Sequence, residues 1–85
     1  MAIELLYFAW VREAIGTGAE RVDPPAGVAT VADLVDWLAA RGGGYATAFA
    51  DRQRLRAAVD QAFVPLDASV AGAREVAIFP PVTGG

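Results

Sequence analysis

The stretch TVADLVDWLAAR, Thr30 to Arg41, decides the fold, because the helical signal is clearest there. Thr30 puts a hydroxyl at the cap position and Asp33 follows three residues later, the spacing of a capping box. Val31, Leu34, Val35 and Leu38 fall at i, i+3, i+4 and i+7 and make one apolar stripe that must face a core. Trp37 lies beside that stripe and reads as packing. Arg41 is placed in the last turn, where a cation suits the helix dipole, and Gly42 to Gly44 end the helix. Asp33 and Asp36 lie on neighbouring solvent faces, a pattern of solvation rather than of acid–base chemistry.

On either side the period changes. Upstream, IELLYFA (3–9) is a short apolar run that reads as a strand buried on both faces. VREAIG spaces Val11, Ala14 and Ile15 as one or two helical turns stopped by Gly16. Residues 17–19 read as a turn, and AERVDPP as a second strand ended by Pro24 and Pro25. Downstream, YATAFAD reads as a further turn or two of helix. LRAAVDQ and AFVPL are short strands about a turn near Asp60 and Gln61. REVAIFPP is the last strand, with Val76 and Ile78 alternating against Ala77 and Phe79. This order predicts an α+β domain over residues 1–79, a mixed sheet crossed by one main helix, followed by a tail over residues 80–85.

Composition narrows the function. The 85 residues carry a net charge of −3 with no basic run, which disfavours nucleic acid and anionic membrane as partners. Cysteine, histidine and lysine are absent and every cation is arginine. Disulfides, thiolate metal sites and histidine acid–base pairs are therefore excluded within this sequence, and no metal or bound cofactor is expected. The N-terminus lacks the basic start and long apolar run of a signal peptide, and no stretch approaches a membrane span, so a cytoplasmic location is expected. Hydrophobic residues make up 55% of the chain. Much of this is alanine, yet enough large side chains remain for a core and one exposed apolar patch, which on a small domain points to a partner.

The candidate motifs inside the domain are weak. GTGAER (16–21) lacks the third glycine of a dinucleotide loop, and RGGGYA (41–46) lacks the lysine and hydroxyl of a P-loop. They read as a turn and a flexible break. DRQRLR (51–56) concentrates charge before a strand and reads as a solvated turn or a patch for an acidic partner. No internal constellation suggests an active site, so any chemistry is expected at the end, FPPVTGG (79–85). Pro80 and Pro81 stiffen the exit from the last strand. Gly84 and Gly85, without Cβ atoms, can enter a narrow channel and bend freely there. Pro80 to Gly85 reach roughly 19 Å if extended. A C-terminal carboxylate becomes a useful electrophile once it is adenylated.

YFAWVREAIGT, LRAAVDQAFV and EVAIFPPVTGG together resemble the small subunits of molybdopterin synthase, a family of ubiquitin-like β-grasp sulfur carriers. The likeness covers nearly the whole chain, and its most specific part is FPPVTGG. The resemblance implies that an ATP-using activating enzyme adenylates Gly85 and that sulfur then replaces AMP to give a thiocarboxylate. By the same resemblance the subunit would not be catalytic alone. Its tail, with Gly84 threading, would enter a large subunit, two small and two large subunits forming a heterotetramer. There it would give sulfur to cyclic pyranopterin monophosphate for the dithiolene of molybdopterin. The family's apolar docking surface maps to Phe8, Phe63 and Phe79, beside Pro80 and Pro81; ordinary core is the alternative for the three phenylalanines. Asp60 replaces an asparagine common in the turn, and Trp10 occupies a position that is usually polar. Other readings are a thiamine-pathway type of carrier, a ubiquitin-like modifier conjugated through Gly85, and a non-covalent binding module. The absence of lysine would prevent a modifier from forming chains through its own side chains.

Overall fold

Five short strands form one sheet whose central strands bury side chains against a single helical layer. The computed structural model describes residues 2–81. The chain runs β1 (Ile3–Tyr7), α1 (Ala9–Ile15), β2 (Ala19–Val22), α2 (Val31–Ala39), α3 (Gly43–Ala48), a 3-10 turn (Arg52–Arg54), β3 (Arg56–Val59), β4 (Ala62–Val64) and β5 (Glu75–Phe79). The sheet order is β2-β1-β5-β3-β4. β1 and β5 are parallel in the middle, and the remaining pairs are antiparallel. A mixed sheet gripping one principal helix is the β-grasp arrangement, and α2 is the helix it grips.

The start of α2 shows how local chemistry sets the fold. Thr30 Oγ1 accepts from the Asp33 amide at 3.1 Å, and Asp33 Oδ2 accepts from the amides of Thr30 at 3.2 Å and Ala29 at 3.1 Å. Those backbone bonds hold the Asp33 carboxyl below its usual range. The amides of Val31 and Ala32 donate to the carbonyls of Ala68 and Leu66, so the loop before β5 satisfies donors that the helix cannot. Val31, Leu34, Val35 and Leu38 are fully buried. They meet Leu5, Tyr7, Val76 and Ile78 from the sheet together with Val11 and Phe49 in one core. Each large side chain so buried contributes about 1.5–3 kcal/mol of transfer free energy.

The hairpin between β3 and β4 turns on Asp60 (φ 49°) and Gln61 (φ 72°). Two consecutive left-handed residues match the type I′ geometry that suits the twist of the flanking strands. Asp60 tolerates that conformation, and its Oδ1 also accepts from the amides of Arg74 at 2.9 Å and Glu75 at 3.0 Å, tying the turn to the start of β5.

Four expectations change in detail. β1 ends at Tyr7 and buries one face only, with Glu4 and Leu6 half-buried on the other, because the helices cover a single side of the sheet. Val76, Ala77 and Ile78 of β5 are all buried, since a central strand flanked on both edges leaves little of either face open. Arg41 lies beyond α2, and its guanidinium sits over the rings of Trp37 and Tyr45 at 5.0 and 5.1 Å, so it ties α2 to α3 in place of capping a dipole. The glycine run is not a flexible break. Gly42 caps α3 with φ 78°, and Gly44 lies where α3 crosses the end of α1. A Cβ built on Gly44 would stand 2.0 Å from the Ala14 carbonyl oxygen, so only glycine permits that crossing.

Candidate functional site

The sheet's second face is left uncovered by the helices, and its side chains follow from the register. Leu6 pairs with Ala77, Ala77 with Ala58, and Ala58 with Phe63, which lays an apolar row across β1, β5, β3 and β4. Alanines form the floor of the row, so large apolar area accumulates only where the chain places a phenylalanine. Those positions cluster at the end of β5. Phe63 is 84% exposed and Phe8 is 49% exposed. Phe79, half-buried, lies between them, 5.8 Å from Phe63 and 6.5 Å from Phe8 between ring centroids. Both contacts are tilted or edge-on, the favourable aromatic arrangements.

Phe8 reaches this surface because β1 turns sharply after Tyr7. Tyr7 points into the core, and Phe8 follows with extended backbone (φ −131°, ψ 158°) and points out. Ala9 then takes a left-handed φ of 53°, a conformation that costs a residue with a Cβ about 1–2 kcal/mol. Phe8, Ala9, Phe79, Pro80 and Pro81 line a shallow apolar cavity of about 350 Å³. On its other flank Pro80 and Pro81 meet Trp10 and Arg54 around a depression of about 340 Å³. The Arg54 guanidinium lies 4.9 Å above the Trp10 ring. The structure thus brings Phe8, Phe63, Phe79, Pro80 and Pro81 onto one exposed surface, which separates the three phenylalanines from the closed core. Gly84 and Gly85 lie outside the described residues, as does the part of the tail from residue 82 onward.

Sequence reading missed a second cluster, at the β2 edge. Glu20 accepts from the Tyr45 hydroxyl at 2.5 Å, the Tyr7 hydroxyl at 2.9 Å and Arg41 Nη1 at 3.0 Å. Burial alone would raise the Glu20 carboxyl, but the hydrogen bonds from Tyr45, Tyr7 and Arg41, with the Arg41 charge, outweigh it and hold the group below its usual range. Burial and the bond to Glu20 push the Tyr7 hydroxyl far up. Three donors converge on one carboxylate, which suits a clasp joining β2 to β1, to Arg41 after α2 and to α3 better than a site awaiting substrate. The partners are 13 to 25 residues apart, so no local pattern announces them. No group of acidic side chains among the described residues could hold a metal ion. No helix among them is long and apolar enough to cross a membrane.

Comparison with known proteins gives a consistent result. A model of the ThiS family matches residues 5–85. The Molybdopterin synthase sulfur carrier subunit of Escherichia coli (strain K12) is 45% identical, covering 98% of this chain and 99% of the relative. The protein of the same name from Haemophilus influenzae is 36% identical over the same shares. Among solved structures, SAMP1 from Haloferax volcanii superimposes with a TM-score of 0.70 at 30% identity, covering all of both chains.

Proposed function

The chain belongs to the ThiS family, and from that premise we propose that it is the sulfur carrier subunit of a molybdopterin synthase. The observation that carries the proposal is the apolar surface of Phe8, Phe63 and Phe79 at the root of a Phe-Pro-Pro exit, in a chain so similar to two carriers of that name. In this reading the surface docks on the large subunit and Gly84 and Gly85 thread into its site. An activating enzyme first joins the Gly85 carboxylate to AMP, releasing pyrophosphate. A sulfur donor then displaces AMP to leave a thiocarboxylate. Attack by that sulfur on cyclic pyranopterin monophosphate links the two through a thioester. Water then cleaves the acyl–sulfur bond to return the Gly85 carboxylate and leave the sulfur on the pterin. Two such transfers supply the sulfurs of the dithiolene. The domain contributes position and docking energy, ATP serves the activating enzyme, and the assembly is a cytoplasmic heterotetramer of two small and two large subunits.

The test is to extend the chain by one residue after Gly85. This moves the carboxylate by roughly 3 Å, beyond what a preorganised site tolerates. Incubated with activating enzyme, ATP and a sulfur source, the unextended chain should show the sulfur-for-oxygen mass change and support molybdopterin formation. The extended chain should do neither. Full sulfur loading of the extended chain, untrimmed, would refute the proposal. The likeness to SAMP1, whose second solved structure is titled a small archaeal modifier protein, favours conjugation through Gly85 as the second reading. The same mass measurement separates the two, because a modifier appears attached to larger proteins.

A further inference from the structure

Covering Phe79 also covers Arg56. β3 pairs with β5 so that Arg56 stands directly across from Phe79, and strand alternation puts both on the open face with Ala58 and Ala77. Arg56 Nη1 donates to the carbonyls of Gln53 at 3.0 Å and Leu55 at 2.8 Å. Those bonds hold the guanidinium at the end of the strand without neutralising it. On the other side of the tail root, Arg54 lies over Trp10 next to Pro80 and Pro81. The ion pairs among the described residues are Arg21 with Glu4, Arg41 with Glu20 and Arg52 with Asp36, and they leave both of these arginines out. A chain of net charge −3, with 10 acidic residues, thus presents beside its apolar surface two cations that no ion pair among the described residues neutralises.

An unpaired guanidinium sealed under a partner loses its hydration without return, a cost of several kcal/mol that would cancel much of the gain from three phenylalanines. We propose that the large subunit carries a carboxylate that meets Arg56, with a second acidic group facing Arg54, so that the tail enters between two ion pairs. The proposal rests on the docking reading above and adds the chemistry of the partner's surface. Arginine suits this position, since its planar fork can bind a carboxylate through two parallel bonds while its stem packs on apolar neighbours. The net negative charge argues against a polyanion as the occupant.

Binding to the large subunit from the same organism, measured by calorimetry and by association rate across a salt series, tests this. Arg56→Glu should lower affinity about 30-fold, the effect of breaking one desolvated charge pair. Arg56→Gln, which keeps the length without the charge, should fall between it and the wild type. Adding Arg54→Glu should flatten the salt dependence of the association rate. Exchange of a large-subunit acidic residue for arginine should restore binding to Arg56→Glu alone. Affinities of both Arg56 variants within about threefold of wild type, the range of an exposed pair, would overturn the proposal. So would a wild-type homodimer that Arg56→Glu dissolves, or displacement of the large subunit by polyuridylate. A wild-type chain that does not bind the large subunit at all would instead refute the docking reading itself.

Discussion

Replacing Gly44 with alanine should be among the most damaging single-methyl changes the domain can receive. The added Cβ would stand 2.0 Å from the Ala14 carbonyl oxygen, 2.9 Å from its carbon and 3.1 Å from the Ile15 Cα, all of them backbone atoms. Nothing there can rotate aside, so α3 must retreat from α1 by about 1 Å. A gap of that size forfeits roughly a quarter to a half of the dispersion energy across the crossing. Overpacking of this kind costs about 1–3 kcal/mol, and a rigid backbone on the far side puts the cost at the upper end. Alanine's better helix propensity returns about 1 kcal/mol. A net loss of about 2 kcal/mol is a large share of the roughly 4–13 kcal/mol expected for a domain of this length. It corresponds to a melting temperature lower by about 8–16 °C. Thermal unfolding followed by circular dichroism measures this directly, with Gly27→Ala as the control because nothing lies within 4 Å of a Cβ there. A Gly44→Ala protein that melts within about 2 °C of the wild type would show that α3 is free to slide, and the argument would fail.

Glu20→Gln should lower stability by about 1 kcal/mol at neutral pH, since the carboxylate accepts three bonds but is partly solvated. A depressed carboxyl stabilises the fold above its ordinary value of 4.5 and loses that contribution as pH falls through the folded value. Urea titrations from pH 7 down to about 3 should therefore show part of the wild-type decline missing in the variant, and identical slopes would remove Glu20 as its source. Thr30→Ala should cost about 1 kcal/mol by removing the cap of α2, again by urea titration, and no change would mean that the loop bonds to Val31 and Ala32 suffice. Phe63→Ser should leave stability within about 0.5 kcal/mol because the side chain is 84% exposed, yet weaken large-subunit binding about tenfold by calorimetry.

What the sequence made legible was local. Thr30 and Asp33 announce α2 because a capping box is a four-residue chemistry, and the apolar stripe after it spans two turns. A turn at Asp60 and Gln61 is legible because two short strand-like runs flank it and aspartate is a turn residue, whereas the left-handed conformation of Gln61 is not announced by its type. Phe8, Phe63 and Phe79 are identifiable as surface candidates through the family resemblance, while their meeting depends on β5 pairing with β1 on one edge and with β3, which carries β4, on the other. The hidden parts all arise from contacts between distant segments. Gly44 looks like a loop residue until α1 is laid across it. Arg41 looks like a helix-end cation until Glu20, 21 residues earlier, comes within 3.0 Å. Arg56 looks like one of several charges in DRQRLR until the β3–β5 register sets it against Phe79.

The two faces of the sheet divide the closed core from the proposed docking surface, and β5 is where they join. Ile78 is fully buried against the helical layer, while Phe79, the next residue, turns to the open face. β5 is held on one edge by β1 and on the other by β3 up to its last residue. The exit at Pro80 therefore starts from a strand paired on both edges as far as Ile78 and with β3 as far as Phe79. Fixing the root reduces the conformational freedom that docking must remove, so more of the interface energy is available for binding. The same division explains why the uncovered row is floored with Ala58 and Ala77. Small side chains leave little apolar area exposed away from the tail, and the phenylalanines confine it to the place where the proposed partner would sit. A domain built this way can keep its docking surface apolar without weakening its core, because no side chain of the surface is needed to close the core. Substitutions at Phe63 and Arg56 should therefore alter binding at nearly constant melting temperature, and substitutions at Gly44 and Thr30 should do the reverse.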